Sequence, residues 1–246
     1  LSVLINTNLL LAARANEAER FMFASSACVY AADKQTRADL TALKEEDAYP
    51  AMPEDGYGWE KLFSERMCRH FSEDFGLATR IVRYHNVYGP LVTYDGGREK
   101  APAAICRKVA SAKAKNDRRI KIWGDGEQTR SFMYIDDCLK GTLAVMASDF
   151  AEPINVGSAE MVSINELVST VEAAAGIELE RSYKLDAPMG VRGRNSDNAL
   201  IQKILGWEPD TALADGIAKT YAWIAEEMSA AAPDDRFTKE YIARPL

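Results

Sequence analysis

No glycine occurs in this chain before Gly56. A βαβ unit that cradles a dinucleotide needs a glycine-rich turn straight after its first strand, where the backbone must approach the pyrophosphate with no Cβ in the way. Residues 1–55 hold no such turn, so they cannot supply that unit, whatever architecture the remainder builds. Either the chain binds no dinucleotide, or the segment that cradles it lies outside this sequence.

Helix and strand signals alternate along the rest. Residues 1–18 carry helical spacing, and RFMFAS (20–25) is a short apolar run suited to a buried parallel strand. A polar, irregular stretch follows from Ala31 to Glu54. The pattern then predicts a helix from about Asp55 to Phe75 closed by Gly76, and a strand in LATRIVRYHNVYGP that runs into a loop at Gly89-Pro90. A helix is expected around Pro102 to Lys113, then two short strands around Gly124-Asp125-Gly126, with Asp136 or Asp137 capping the next helix. PINVG (153–157) reads as a buried strand, and Ser163 with Glu166 as a capping box whose helix stops near Gly176. A helix after Asn195 and a long one from about Ala212 to Met228 complete the pattern, ahead of a tail expected to be loose. Such alternation predicts an α/β fold.

Composition removes several function classes. There is no apolar run near the ~18 residues a membrane helix needs. A net charge of −7 without a basic stripe argues against nucleic acid. Cys28, Cys68, Cys106 and Cys138 form no CxxC pair, and only His70 and His85 accompany them, so no metal site is expected. Reduced thiols and a cytoplasmic location are the reading.

The first chemical motif is Tyr57-Gly-Trp-Glu-Lys61. A spacing of four on a helix puts both side chains on one face, one turn apart. A free phenol titrates near pH ~10, and an adjacent ammonium is expected to lower that value enough for the phenol to act as a base. The same pattern also occurs in ordinary exposed helices. Context narrows the choice. Ser25-Ser26-Ala27-Cys28-Val29-Tyr30 ends the preceding strand, and Arg83-x-x-Asn86-Val87-Tyr88-Gly89-Pro90 follows the helix.

That trio, in that order, resembles the extended short-chain dehydrogenase/reductase family, the NAD-dependent nucleotide-sugar epimerases and dehydratases. The resemblance implies the C-terminal part of a Rossmann-like parallel sheet with a smaller mixed α/β substrate domain. Residues 1–90 would be the remainder of the NAD-binding domain, 131–157 would return to it, and 91–246 would mainly bind the nucleotide sugar. It implies Tyr57 as the base that takes a sugar hydroxyl proton, Lys61 on the nicotinamide ribose, and Ser26 on the same sugar oxygen. A homodimer through helices like the one carrying Tyr57 is a further implication. So is weak NAD binding and no turnover for a chain starting at Leu1.

Further strings narrow the resemblance. The Asp-Glu pair of the family's 4,6-dehydratases is absent: Ala27 and Cys28 stand there instead. GGREKAPAA (96–104), WGDG (123–126), QTRSF (128–132) and VRGRNSDN (191–198), together with SSACVY, resemble the GDP-mannose 3,5-epimerase branch of the family. KAKNDRR and the tail after Met228 do not follow its pattern. Carried over, Cys28 and Lys100 become the acid/base pair on opposite faces of the sugar. Ser26, Ala27, Cys28, Asn86, Glu99, Lys100, Ala101, Lys108, Gln128, Thr129, Arg130 and Arg194 become contacts to GDP-mannose or a related nucleotide sugar. Arg192 and Arg194 in a loop, with Lys108 on a helix and Arg130 on a strand, are expected to converge on its pyrophosphate, since guanidinium forks suit that group. The chemistry asks for these types. Transient oxidation at C4 makes a ketone, which acidifies the C3 and C5 protons, so one group removes a proton and another returns it on the far face. A C4 or hexuronate epimerase, and a non-catalytic dinucleotide-binding relative, remain as alternatives.

Overall fold

The computed structural model of the protein describes residues 2–187 and 190–230. The predicted loose tail from residue 231 lies outside the described residues. Helix α1 (Ser2–Ala15) leads into strand β1 (Arg20–Ser26). The polar stretch that follows holds three short 3-10 turns, Ala27–Val29, Ala32–Gln35 and Glu45–Ala48. Helix α2 (Gly56–Phe75) begins where the Asp55 carboxylate accepts the Gly58 N–H at 2.8 Å. It ends at Gly76, whose φ of 71° suits a residue without Cβ. Strands β2 (Ala78–Tyr84) and β3 (Val87–Tyr88) come next. Helix α3 (Ala101–Lys115) starts with Pro102 in its first turn and is closed by Asn116 in the left-handed region, φ 54°.

Strands β4 (Arg119–Trp123), β5 (Thr129–Ser131) and β6 (Met133–Tyr134) precede helix α4 (Ile135–Ala147). Strands β7 (Ile154–Val156) and β8 (Met161–Ser163) lead to helix α5 (Ile164–Ala175), opened by the predicted capping box and closed by Gly176. Strands β9 (Glu180–Lys184) and β10 (Gly193–Arg194), then helices α6 (Ala199–Leu205) and α7 (Leu213–Ala230), finish the described chain.

The main sheet is parallel, in the order β1-β2-β7, with Ser26 opposite Tyr84 and Val82 opposite Ile154. Successive residues of a strand face opposite sides, so Ile81 and Val82 enter different cores. Ile81 packs with Leu10, Phe23, Cys68 and Phe71 beneath α1 and α2. Val82 packs with Met133, Val145, Ile154 and Ile201 beneath α4 and α6. A separate core joins α3, α5 and α7 to β4 through Val109, Leu167, Val171, Ile217, Ile120 and Ile122. Because the main strands run the same way, Ser26, His85 and Gly157 all leave the sheet at one edge. This is the end at which open α/β sheets bind ligands. No helix among the described residues is long and apolar enough to cross a membrane.

Two local expectations are corrected. Neither Asp136 nor Asp137 caps α4: the cap position is Tyr134, both aspartates lie in the first turn, and Asp137 instead accepts the Thr211 N–H at 3.0 Å. The two strands expected around Gly124-Asp125-Gly126 both form, although they do not pair with each other. β4 pairs with β9, while β5 lies between β10 and β8. Arg194, expected in a loop, is on β10, because its backbone pairs beside Arg130.

Candidate active site

Strand β1 ends at Ser26, whose extended backbone (φ −150°, ψ 151°) lets its hydroxyl accept the Cys28 N–H at 3.2 Å. The 3-10 turn that follows buries Ala27 and Val29 and leaves Cys28 partly exposed. The start of α2 is pressed onto this turn at Gly58: a Cβ there would lie 2.2 Å from the Cys28 carbonyl oxygen and 2.8 Å from Pro53 Cβ. Only glycine allows that approach, and it brings Tyr57 alongside Ser26. Burial pushes the Tyr57 phenol above its ordinary value, and the neighbouring Ser26 hydroxyl pulls the other way.

Lys61 does not do to Tyr57 what the spacing suggests. Its ammonium donates to the Ala24 carbonyl at 2.8 Å and stands 5.5 Å from the Tyr57 ring centroid and 5.0 Å from that of Phe23. The expected lowering of the phenol is therefore corrected: the ammonium is drawn to the end of β1, and desolvation decides the direction. Burial likewise pulls Lys61 below its usual range.

Cys28 meets a guanidinium from the other side. Arg194 Nη1 donates to Cys28 Sγ at 3.4 Å, and its Nε donates to Gln35 Oε1 at 2.6 Å. Arg130 is close by. Burial and the Arg194 charge pull Arg130 down to about 10, against the opposing pull of Glu54 and Cys28. It donates to the carbonyls of Thr129 (2.7 Å) and Val191 (2.6 Å). Ser26, Ala27, Cys28, Tyr57, Lys61, Arg130 and Arg194 are thus brought to one place.

A second group gathers around β4. Lys108 Nζ donates to the Lys121 carbonyl at 2.8 Å, and Gln128 Nε2 to the Trp123 carbonyl at 3.0 Å. Burial and the Arg107 charge lower Lys108. One Glu99 oxygen accepts from Arg107 at 3.1 Å. Its other oxygen, and Gln128 Oε1, are buried with no partner among the described residues. Arg192 is engaged by Asp125 at 2.8 and 2.9 Å, away from Arg194. Lys100 and Ala101 stand at the cap and first position of α3, with Lys100 exposed. Thr129 Oγ1 donates to the Ala38 carbonyl at 2.6 Å, and Asn86 Nδ2 to that of Ser131 at 2.9 Å. Among the described residues no hydrogen bond or ion pair joins Lys100 to Cys28.

Sequence reading missed Gln35 and Glu65. Glu65 was within reach, because it continues the Tyr57–Lys61 face of α2 by one further turn. Gln35 sits in a polar stretch with no periodicity, and nothing local marks it.

The sequence model described as the NAD dependent epimerase/dehydratase family matches residues 2–157. The chain belongs to that family. Its members that resemble it include GDP-mannose 3,5-epimerase 1 of Oryza sativa subsp. indica, 50% identical over 92% of this chain and 58% of the relative. GDP-mannose 3,5-epimerase of Arabidopsis thaliana is 50% identical over 92% and 59%. The chain therefore spans under three-fifths of the length of these curated relatives. Among solved structures, UDP-glucuronic acid 4-epimerase from Bacillus cereus, in complex with UDP-glucuronic acid and NAD, superposes with a TM-score of 0.75 at 28% identity, covering 92% of this chain and 67% of that one. UDP-glucose 4-epimerase from Thermotoga maritima shares the fold at a TM-score of 0.80 and 24% identity, over 91% and 69%.

Proposed function

We propose that this chain is the larger, C-terminal part of an NAD-dependent epimerase that inverts GDP-mannose at C3 and C5, giving GDP-L-galactose or a related epimer. The observation that carries the reading is the Arg194-held sulfur of Cys28 beside the Ser26–Tyr57 pair. Half-identity to GDP-mannose 3,5-epimerases supports the substrate. In this reading residues 1–90 and 131–157 belong to the cofactor domain, which the pairing of β7 with β2 supports.

The donor set here suits the nicotinamide end of NAD. Lys61 gives one of its three N–H groups to Ala24, and the other two suit a ribose diol. Bound NAD supplies reversible oxidation of the sugar at C4. Tyr57, with Ser26 on the same sugar oxygen, takes and returns the C4 hydroxyl proton. A carbon-bound proton next to a carbonyl is acidic because the resulting charge spreads onto oxygen. Cys28 removes it from one face and Lys100, at the cap of α3, returns one from the other. Arg130, Lys108 and the orphaned oxygens of Glu99 and Gln128 are offered to the nucleotide part. Arg192, paired with Asp125, is the weakest of the pyrophosphate candidates. The exposed Leu4 and Leu11 on α1 and Trp59 and Phe63 on α2 support a homodimer through these helices.

Mixing full-length protein, NAD and GDP-mannose while following absorbance of the reduced cofactor tests the reading. A substrate-dependent rise for the parent protein, lost in Tyr57→Phe, is expected. No rise and no epimer formed at saturating GDP-mannose would favour the non-catalytic alternative. A rise with UDP-glucuronic acid alone would favour the hexuronate one, for which the Bacillus cereus likeness speaks.

A further inference from the structure

Gln35 is almost wholly buried, at 1% exposure, and every polar atom of its side chain is used. Its Nε2 donates to the carbonyls of Tyr30 (3.2 Å) and Ala31 (3.3 Å), just beyond the turn that holds Cys28. Its Oε1 accepts Arg194 Nε at 2.6 Å, and its backbone carbonyl accepts the Arg192 N–H at 2.9 Å. Arg194 in turn donates to Cys28 Sγ. The contacts close a ring: from Cys28 along the chain to Tyr30, across Gln35 to Arg194, and back to the sulfur.

A guanidinium is planar and long, and its rotamers are many. One Nη contact to sulfur does not fix it. The Gln35 bond at Nε fixes its plane, while Gln35 itself is anchored to the same short segment that carries the thiol. Around it the 35–43 segment clamps onto 192–197. Thr129 Oγ1 donates to Ala38, the Leu43 N–H to Asn195, and the Asp197 N–H to Leu43. A Cβ on Gly193 would lie 2.2 Å from the Arg37 carbonyl oxygen. The distance between Cys28 and Arg194 is thus set locally, although 166 residues separate them.

We propose that Gln35 is a positioning residue: it aims the Arg194 guanidinium at Cys28 and makes that sulfur the reactive thiol of the chain. Partly exposed cysteines in electropositive surroundings are the reactive ones, and buried ones are inert. Cys68, Cys106 and Cys138 are buried, and burial pushes the first two up to about 12. The functional part of this inference rests on reading Cys28 as the proton-removing group; the placement part does not.

Alkylation separates the two. The 246-residue chain is treated with iodoacetamide at one fixed pH near neutrality, and the Cys28 peptide is followed by mass spectrometry. Gln35→Ala is expected to slow Cys28 alkylation about fivefold, the size that loss of one ordinary hydrogen bond supports. Arg194→Ala is expected to slow it as much, and the double variant no further, because both act through one contact. Gln35→Met keeps the volume, removes the acceptor together with the Nε2 donor, and carries the same expectation should Gln35→Ala fail to fold. A purely structural role for Gln35 would loosen the turn and speed alkylation. Unchanged or faster alkylation in Gln35→Met, or no effect of Arg194→Ala, would overturn the proposal. Slowed alkylation, together with no carbon-bound exchange in the full-length protein, would leave the placement standing and remove only the catalytic reading.

Discussion

Glu65 on α2 receives Arg83 on β2 through two nitrogens, at 2.9 and 2.7 Å, with both side chains 2% exposed. The same carboxylate accepts the Ser25 hydroxyl at 2.5 Å, so the face of α2 that carries Tyr57 and Lys61 is tied to the end of β1. Arg83 also donates to the Glu45 carbonyl at 2.7 Å. Removing one member of a buried pair strands the other charge, which costs about 3–5 kcal/mol. Glu65→Ala should lower unfolding free energy by that amount in denaturant titration. Glu65→Leu combined with Arg83→Met should lose much less. A double variant that loses as much as its two single substitutions added together would mean the pair is not coupled.

Gly58→Ala should be costly out of proportion to its size. The new methyl would meet the Cys28 carbonyl and Pro53, neither of which is a flexible side-chain end. Overpacking of this kind costs about 1–3 kcal/mol. Alanine is otherwise the better helix former, so a stabilised variant in denaturant titration would refute the contact.

His85 is fully buried, and burial lowers it to about 3 from an ordinary 6.5. Its Nε2 lies 3.0 Å from Asn155 Oδ1. The unfolded chain binds a proton below about pH 6.5 and the folded chain does not, so stability present above that pH drains away as pH falls toward about 3. The slope is at most about 1.4 kcal/mol per pH unit. Between about pH 7 and about pH 5 the parent chain should lose about 2 kcal/mol more than His85→Gln. Parallel pH profiles would show that this imidazole does not titrate on unfolding.

Phe63 and Trp59 are each about half exposed one turn apart on α2, and α1 beside it exposes Leu4 and Leu11. Exposed apolar side chains on two neighbouring helices suit the homodimer proposed above. Phe63→Glu should shift the sedimentation coefficient from dimer to monomer. A parent protein that sediments as a monomer at high concentration would contradict the assignment of that face.

Much of the frame was legible because it is written locally. Asp55 and Gly76 bound α2, and Ser163, Glu166 and Gly176 bound α5, through contacts within a few residues. β9 was not legible: ERSYK lacks an apolar alternation, and its partner β4 lies far off in sequence. The two-residue strands β3, β6 and β10 exist only because a neighbour pairs with them. The site divides the same way. Tyr57 and Lys61 could be paired from type and spacing, and the resemblance to the family pointed to Ser26 and Cys28. Their partners could not be named either way, because Ala24 competes for Lys61 and Gln35 captures Arg194 through tertiary contacts alone.

Proton removal from carbon by Cys28 is measured directly by isotope exchange. Full-length protein is incubated with NAD and GDP-mannose in D₂O, and the recovered sugars are read by NMR. Deuterium is expected at C3 and C5 for the parent, and loss of that label in Cys28→Ala with substrate-dependent cofactor reduction retained. Deuterium at neither carbon in the parent, or undiminished label at both in Cys28→Ala, would contradict that role of Cys28.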